Sequence, residues 1–304
     1  MLLLKLLPIY VLVTLGFVAG RWLGVKSQEI GKVLLYFLGP AVIFKGFVGA
    51  DLHSALLALP VAIFAAAVLI AFTTLALARK RWSDGRERIL AFTAGTGNEG
   101  YFGIPACLAL IGPQSLPVVA VIIFGIVMYE ISVGYYIVMR ARVTAVGALK
   151  RVAAYPGLHA AWAGLLVNAF AVPLPQGITD TITMLTGAYS PLGMMIVGIG
   201  LASLRFQAGE GIDKTFLASA FAVKFVLWPG LAALFIWADK TAFHWFDATA
   251  HQVIAVESLV PLAAITVVHA TLQDVRPEQA SLAVGASTVF ALVYLPLMMG
   301  VVAG

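Results

Sequence analysis

The 304-residue chain is 62% hydrophobic and 11% charged, with a mean hydropathy of +1.00, which excludes a water-soluble domain of this length and marks an integral membrane protein. Its net charge of +5 lies mostly in short connections between apolar stretches, where it sets topology and does not form a nucleic-acid surface. The single cysteine, Cys107, excludes an internal disulfide and a cysteine-built metal cluster and reads as a packing residue.

Ten apolar segments of spanning length follow one another at residues 4–22, 30–49, 55–78, 89–111, 115–139, 156–172, 178–204, 214–237, 248–272 and 279–303. The first resembles a secretory signal peptide but is too long a run for one, and it is expected to be retained as a span. Fifteen Lys and Arg residues fall in the loops after odd-numbered spans, Arg79-Lys80-Arg81 and Arg140, Arg142, Lys150 and Arg151 among them. Lys5 and Lys240 alone lie on the other side. This asymmetry places the odd loops in the cytoplasm and both termini outside, as expected for a multi-pass protein of the cell (inner) membrane. Span 2 carries Lys45 near its outer end, where a long side chain reaches the interface as an anchor.

Span 4 does not read as an ordinary membrane helix. Residues 95–105 are Gly-Thr-Gly-Asn-Glu-Gly-Tyr-Phe-Gly-Ile-Pro, with four glycines and a proline that remove helix propensity. Glu99 adds a carboxylate, which costs about 2.5–3.5 kcal/mol at the centre of a span. Freed backbone groups at this depth require protein or a water-filled cavity around them, so the stretch is read as a broken helix forming half of a substrate or ion site.

Further polar residues lie inside other spans. Glu130 in span 5 is either a relay group or a carboxyl that is neutral or paired with a helix-packing partner. Lys224 in span 8 is too deep to reach the interface and needs a carboxylate partner (Glu99, Glu130 or Glu257) unless it binds substrate directly. Asn168 in span 6 is expected to hydrogen-bond across helices, and His269 to lie at the cytoplasmic end of span 9 as an interfacial residue. The histidines at 53, 159, 244, 251 and 269 fall mainly near span ends, and neither Gly-x-Ser-x-Gly nor His-Glu-x-x-His occurs, which argues against an intramembrane enzyme.

The basic segment 140–155 is read as an amphipathic cytoplasmic linker between two five-span halves, 1–139 and 156–304. An odd number of spans per half forces similar halves into opposite orientations. Pairing Pro8 with Pro156, Pro40 with Pro191, Pro105 with Pro261 and Pro117 with Pro277 gives offsets that rise steadily from 148 to 160 residues. The second half supplies a counterpart of the first break in Val256-Glu257-Ser258-Leu259-Val260-Pro261, where a carboxylate again precedes a mid-span proline. The predicted fold is therefore an all-α membrane protein of ten transmembrane helices, two inverted five-helix repeats with broken helices 4 and 9 meeting near the midplane.

Residues 98–105 resemble the Asn-x-Gly-Phe/Tyr-x-Gly-x-Pro signature of the auxin efflux carrier family, and the likeness extends over nearly the whole chain. The resemblance implies that spans 4 and 9 cross at their prolines within a mobile core, against a scaffold of spans 1, 2, 6 and 7. Asn98, Gly100, Tyr101, Gly103 and Pro105 match the first crossing motif and Pro261 the second, with Ser258 beside it; these are the expected substrate-binding residues. Glu99 departs from the small or neutral residue often found there. The architecture is also similar to that of bile acid sodium symporters, in which a glutamate of the ninth span and an asparagine of the fourth help hold sodium; Glu257 and Asn98 occupy comparable places.

The resemblance implies a small organic anion as substrate, an auxin-like indole acid or a dicarboxylate such as malonate or malate, and by analogy a possible homodimer. An inside-negative potential drives a monoanion outward by about 2.3 kcal/mol per 100 mV, so uptake needs a co-transported cation. Glu99, Glu257 and Glu130 are the candidate coupling groups for Na+ or H+, with Na+ at Asn98 and Glu257; no other metal and no cofactor is expected. An uncoupled, voltage-driven exporter is the alternative, and a channel or sensor a further one.

Overall fold

The computed structural model describes residues 2–50, 55–139, 144–202 and 213–302; Arg140, Arg142, Arg205 and His53, named above or counted among the loop charges, lie outside the described residues. All regular structure within them is helical. The first half comprises α1 (Leu2–Trp22), α2 (Ser27–Val33), α3 (Gly39–Val48), α4 (Leu59–Ala78), α5 (Arg86–Ala94), α6 (Ile104–Leu110), α7 (Leu116–Tyr129) and α8 (Tyr135–Met139). After α9 (Ala145–Ala154) come α10 (Pro156–Ala169), α11 (Gln176–Ala202), α12 (Lys214–Ala222), α13 (Trp228–Ala238), α14 (Ala248–Ser258), α15 (Ile265–Gln273) and α16 (Pro277–Val302).

Several helices join through wide, π-helical turns whose positions follow from the prolines. Leu34–Leu38 precedes Pro40, Glu99–Gly103 precedes Pro105, and Val223–Leu227 precedes Pro229. A proline lacks the N–H that would bond the carbonyl four residues back, and its ring clashes with that carbonyl; an extra residue in the preceding turn relieves the clash. Glu99 and Lys224 both lie within such turns, and Glu130 opens a further wide turn, Glu130–Gly134, that no proline follows, so these three residues sit where the regular backbone ladder is disturbed.

Among the described residues, six helical stretches are long and apolar enough to cross a membrane: Glu29–Val48, Ala55–Ala78, Pro113–Met139, Gln176–Ala202, Lys214–Phe243 and Gln279–Met298. The other expected spans fall on shorter or interrupted helices, namely the apolar part of α1 at Leu7–Trp22, the pair α5 and α6, α10, and the pair α14 and α15. The outer surface carries exposed Val61, Leu69 and Leu77 on α4 and Val226, Leu234 and Trp237 around α13, as hydrocarbon surroundings require. α9 is amphipathic, with its basic Lys150 exposed.

Helix pairs meet through small residues, as expected where apolar burial supplies no drive between helices in lipid. α1 lies along α11, with Gly16 against the Met195 carbonyl and Gly198 against the Val13 carbonyl. α3 lies along α10, where Gly164 faces the Phe44 carbonyl, and Asn168 donates to the carbonyls of Phe47 and Ala50 at 2.9 and 2.6 Å. Asn168 thus satisfies carbonyls at the end of α3, the cross-helix bond its sequence position led us to expect. Lys45 reaches Thr183 of α11 at 3.3 Å.

Candidate functional site

α5 ends at Ala94, and Gly95–Asn98 leave helical geometry before the turn that leads into α6. α14 ends at Ser258, and residues 259–264 lie outside any helix before α15. These two interruptions meet: the Asn98 amide donates to the Pro261 carbonyl at 2.8 Å. The hydroxyls of Thr93 and Thr266, both buried, are 2.9 Å apart, and the Leu262 amide donates to Ser287 Oγ on α16 at 3.1 Å. Backbone groups set free by one break are thereby taken up by the other break and by neighbouring hydroxyls.

Charged groups surround this junction. Lys224 Nζ lies 3.1 Å from Glu99 Oε1, and Glu99 Oε2 accepts the Gly97 amide at 3.0 Å. Of the three carboxylates the sequence offered to Lys224, the structure pairs it with Glu99. Gly97 leaves room for the pair, since a Cβ there would overlap the ammonium and displace it. Thr96 donates to Glu130 Oε1 at 2.5 Å. Glu257 packs against Gly103, where any side chain would strike its carboxylate, and its Oε1 accepts from Cys107 Sγ at 3.5 Å. Cys107, read from the sequence as packing, is therefore also a polar neighbour of Glu257.

A cavity of about 120 Å³, room for several water molecules or a small solute, adjoins the first break. Its walls come from Leu34 and Val42 of the second apolar segment, from Gly97–Tyr101, from Ile126 and Glu130, from Tyr155 and Tyr189, and from Ala263–Ile265 at the second break. Asn98, Glu99, Gly100, Tyr101 and Glu130 line it. Gly103, Pro105, Glu257, Ser258 and Pro261 stand behind the wall: Pro105 is buried at the start of α6, and Ser258 Oγ bonds the Ala255 carbonyl at 2.8 Å. His269, expected at the end of its span, is enclosed by protein: it is 5% exposed, and its ring packs on Phe92 at 4.6 Å and Tyr135 at 5.8 Å where α15 meets α5 and α8.

Sequence reasoning missed Tyr155, Tyr189, Thr96 and Trp228. The tyrosines form an aromatic side of the cavity, Tyr101 and Tyr189 having ring centroids 6.2 Å apart. Trp228 Nε1 donates to the Ala94 carbonyl at 2.8 Å, closing the C-terminus of α5 at the break. Trp228 stands beside Pro229 and four residues after Lys224, a helical spacing that could have linked it to the site.

The fold and this site define a multi-pass helical membrane protein in which two non-helical segments meet and bring charged side chains next to a cavity. A family model described as membrane transport protein matches residues 1–152, half of the chain, and the chain belongs to that family, the auxin efflux carriers. It is 28% identical over 299 residues to a protein of Methanothermobacter thermautotrophicus named an uncharacterized transporter, covering 96% of this chain and 95% of the relative. A second protein so named, from Methanocaldococcus jannaschii, is 25% identical over 306 residues, 96% of each chain.

Proposed function

We propose that this protein is a secondary transporter that carries a small organic anion by alternating access at the meeting point of its two interrupted segments, coupled to a cation. The observation that carries the reading is the Asn98–Pro261 backbone bond beside a cavity lined by Asn98, Glu99 and Glu130. Breaks of this kind are tolerated at membrane depth where they serve a solute, and the first N–H groups of a resumed helix have no intrahelical acceptor and suit a carboxylate.

Packing supports two inverted five-helix repeats, 1–139 and 156–304, joined by 140–155. If α10 is the counterpart of α1 and α11 that of α3, as the pairing of Pro8 with Pro156 and Pro40 with Pro191 requires, the contacts α1 to α11 and α3 to α10 are one contact with its members exchanged. These helices form the scaffold in this reading, and the cavity lies between it and a core containing α5, α6, α14 and α15. The loop charges favour cytoplasmic odd loops in the cell membrane. A homodimer through the scaffold completes the proposal.

The test is transport in proteoliposomes of labelled indole-3-acetate, malonate and malate, with pH, Na+ and voltage gradients imposed separately and counterflow measured. Saturable counterflow and cation-driven accumulation of at least one acid are expected. Voltage-driven saturable flux alone would indicate an uncoupled exporter, and flux without counterflow a channel.

A further inference from the structure

The three carboxylates near the cavity are not equivalent. Glu99 is committed to Lys224 and to the Gly97 amide, so that pair adds no net charge. Glu257 stands behind the wall against Gly103 and Cys107. Glu130 lies on the cavity wall and is partly exposed to it, and the one side chain that bonds it among the described residues is the Thr96 hydroxyl. The titratable groups that face it are Glu99 and Tyr101 from the first break, Tyr155 and Tyr189 across the cavity, and Tyr129 on its own helix. Lys224 is paired with Glu99, His269 of α15 packs beside Tyr135, and Lys150, midway along α9, is exposed. No cation on this list touches Glu130.

An anion in a cavity of this size comes within several ångströms of Glu130. At an effective dielectric of about 20, an ionised Glu130 would weaken its binding by about two orders of magnitude. An anion and a charged Glu130 therefore exclude each other, whereas a protonated Glu130 adds a hydrogen-bond donor to the tyrosine hydroxyls and the Asn98 side chain that line the cavity.

We propose that Glu130 is the proton-coupling site of this carrier: it binds one proton from the water on the side where the anion enters and returns that proton to water on the other side after the anion has left. An O–H bond forms on the carboxylate before the anion binds and breaks after it departs, so a monoanion crosses with no net charge. Glu99 and Lys224 stay paired throughout. The proposal rests on the carrier reading given above and selects H+ over Na+ within it.

Two measurements test it. The first needs no substrate: infrared difference spectra of the purified protein between neutral and alkaline pH should show loss of a protonated-carboxyl C=O stretch, absent in Glu130→Gln and retained in Glu257→Gln. The second is uptake of labelled indole-3-acetate and malonate into proteoliposomes with external pH recorded. Uptake by the wild type should alkalinise the medium, and for a monoanion each unit of imposed pH gradient should raise accumulation about ten-fold. In Glu130→Gln that dependence should vanish while voltage still drives flux; Glu130→Asp, which keeps the carboxyl, should restore it. Wild-type uptake without proton movement, or an unchanged carboxyl band in Glu130→Gln, overturns the assignment. If neither acid crosses, the carrier reading fails for these probes, and the infrared result still decides the state of Glu130.

Discussion

Lys224 Nζ and Glu99 Oε1 lie 3.1 Å apart with side chains 2% and 6% exposed, a buried ion pair that joins the wide turn between α12 and α13 to the first break. Such a pair contributes little relative to apolar replacements but leaves a stranded charge when one member is removed. Lys224→Met is expected to destabilise the protein by about 3–5 kcal/mol. The double variant Lys224→Met/Glu99→Gln should recover most of the loss. Thermal unfolding in detergent measures both, and single and double variants of equal stability would show that the pair is not coupled.

The helix pair α1 and α11 depends on reciprocal glycines. A Cβ on Gly16 would overlap the Met195 carbonyl, and one on Gly198 the Val13 carbonyl; both obstacles are backbone and cannot swing aside. Gly198→Leu is expected to cost about 1–3 kcal/mol through forced separation of the helices. Gly177, also on α11, has nothing within 4 Å, so Gly177→Ala should be neutral or stabilise by up to about 1 kcal/mol through helix propensity. Equal effects at the two positions would place the cause in propensity and not in packing.

The membrane class and the helical content were legible because each is a local property, set by the length of the apolar runs and the scarcity of charge within them. The partner of Lys224 was not, since Glu99, Glu130 and Glu257 all met the chemical requirement and only the fold chooses among them. Tyr155 and Tyr189 were hidden for a related reason. A tyrosine in or beside an apolar span suits an interfacial position as well as a cavity wall, and the distinction depends on helices far away in sequence. The enclosure of His269 was hidden likewise, since Phe92 and Tyr135, whose rings pack on it, belong to helices far away in sequence.

Trp228 supplies the acceptor at the end of α5 with its one donor, through the 2.8 Å bond from Nε1 to the Ala94 carbonyl. Trp228→Phe keeps most of the ring against Lys224, whose ammonium is 5.7 Å from the indole centroid, and removes the N–H. The carbonyl is then left unpaired in a buried place, at an expected cost of about 1–3 kcal/mol. Trp237→Phe, at a position 64% exposed to the lipid-facing surface, should change stability by well under that. Comparison of the two unfolding midpoints separates a lost hydrogen bond from a general loss of indole.

On the cytoplasmic side in our reading, Asp213 caps α12 by accepting the amides of Thr215 and Phe216, each at 3.0 Å. It also accepts Trp82 Nε1 at 3.0 Å and Arg86 Nη1 at 2.6 Å, joining the loop before α5 to the start of α12. Partial burial pushes its carboxyl up, but the Phe216 amide, the Trp82 N–H, the Arg86 charge and the Thr215 amide together outweigh this and hold it below the usual 3.8. A carboxylate lowered on folding stabilises the folded state above its unfolded value and loses that contribution as pH falls through its folded value. Asp213→Asn preserves a capping oxygen and removes the charge, so the wild type should be more stable by about 1–2 kcal/mol from pH 7 down to about 5. The gap should close below about pH 4. Asp84, also lowered by its bond to Arg86, titrates in both proteins and drops out of the difference. A gap that stays constant to pH 3 would show that the cap acts through shape and not through charge.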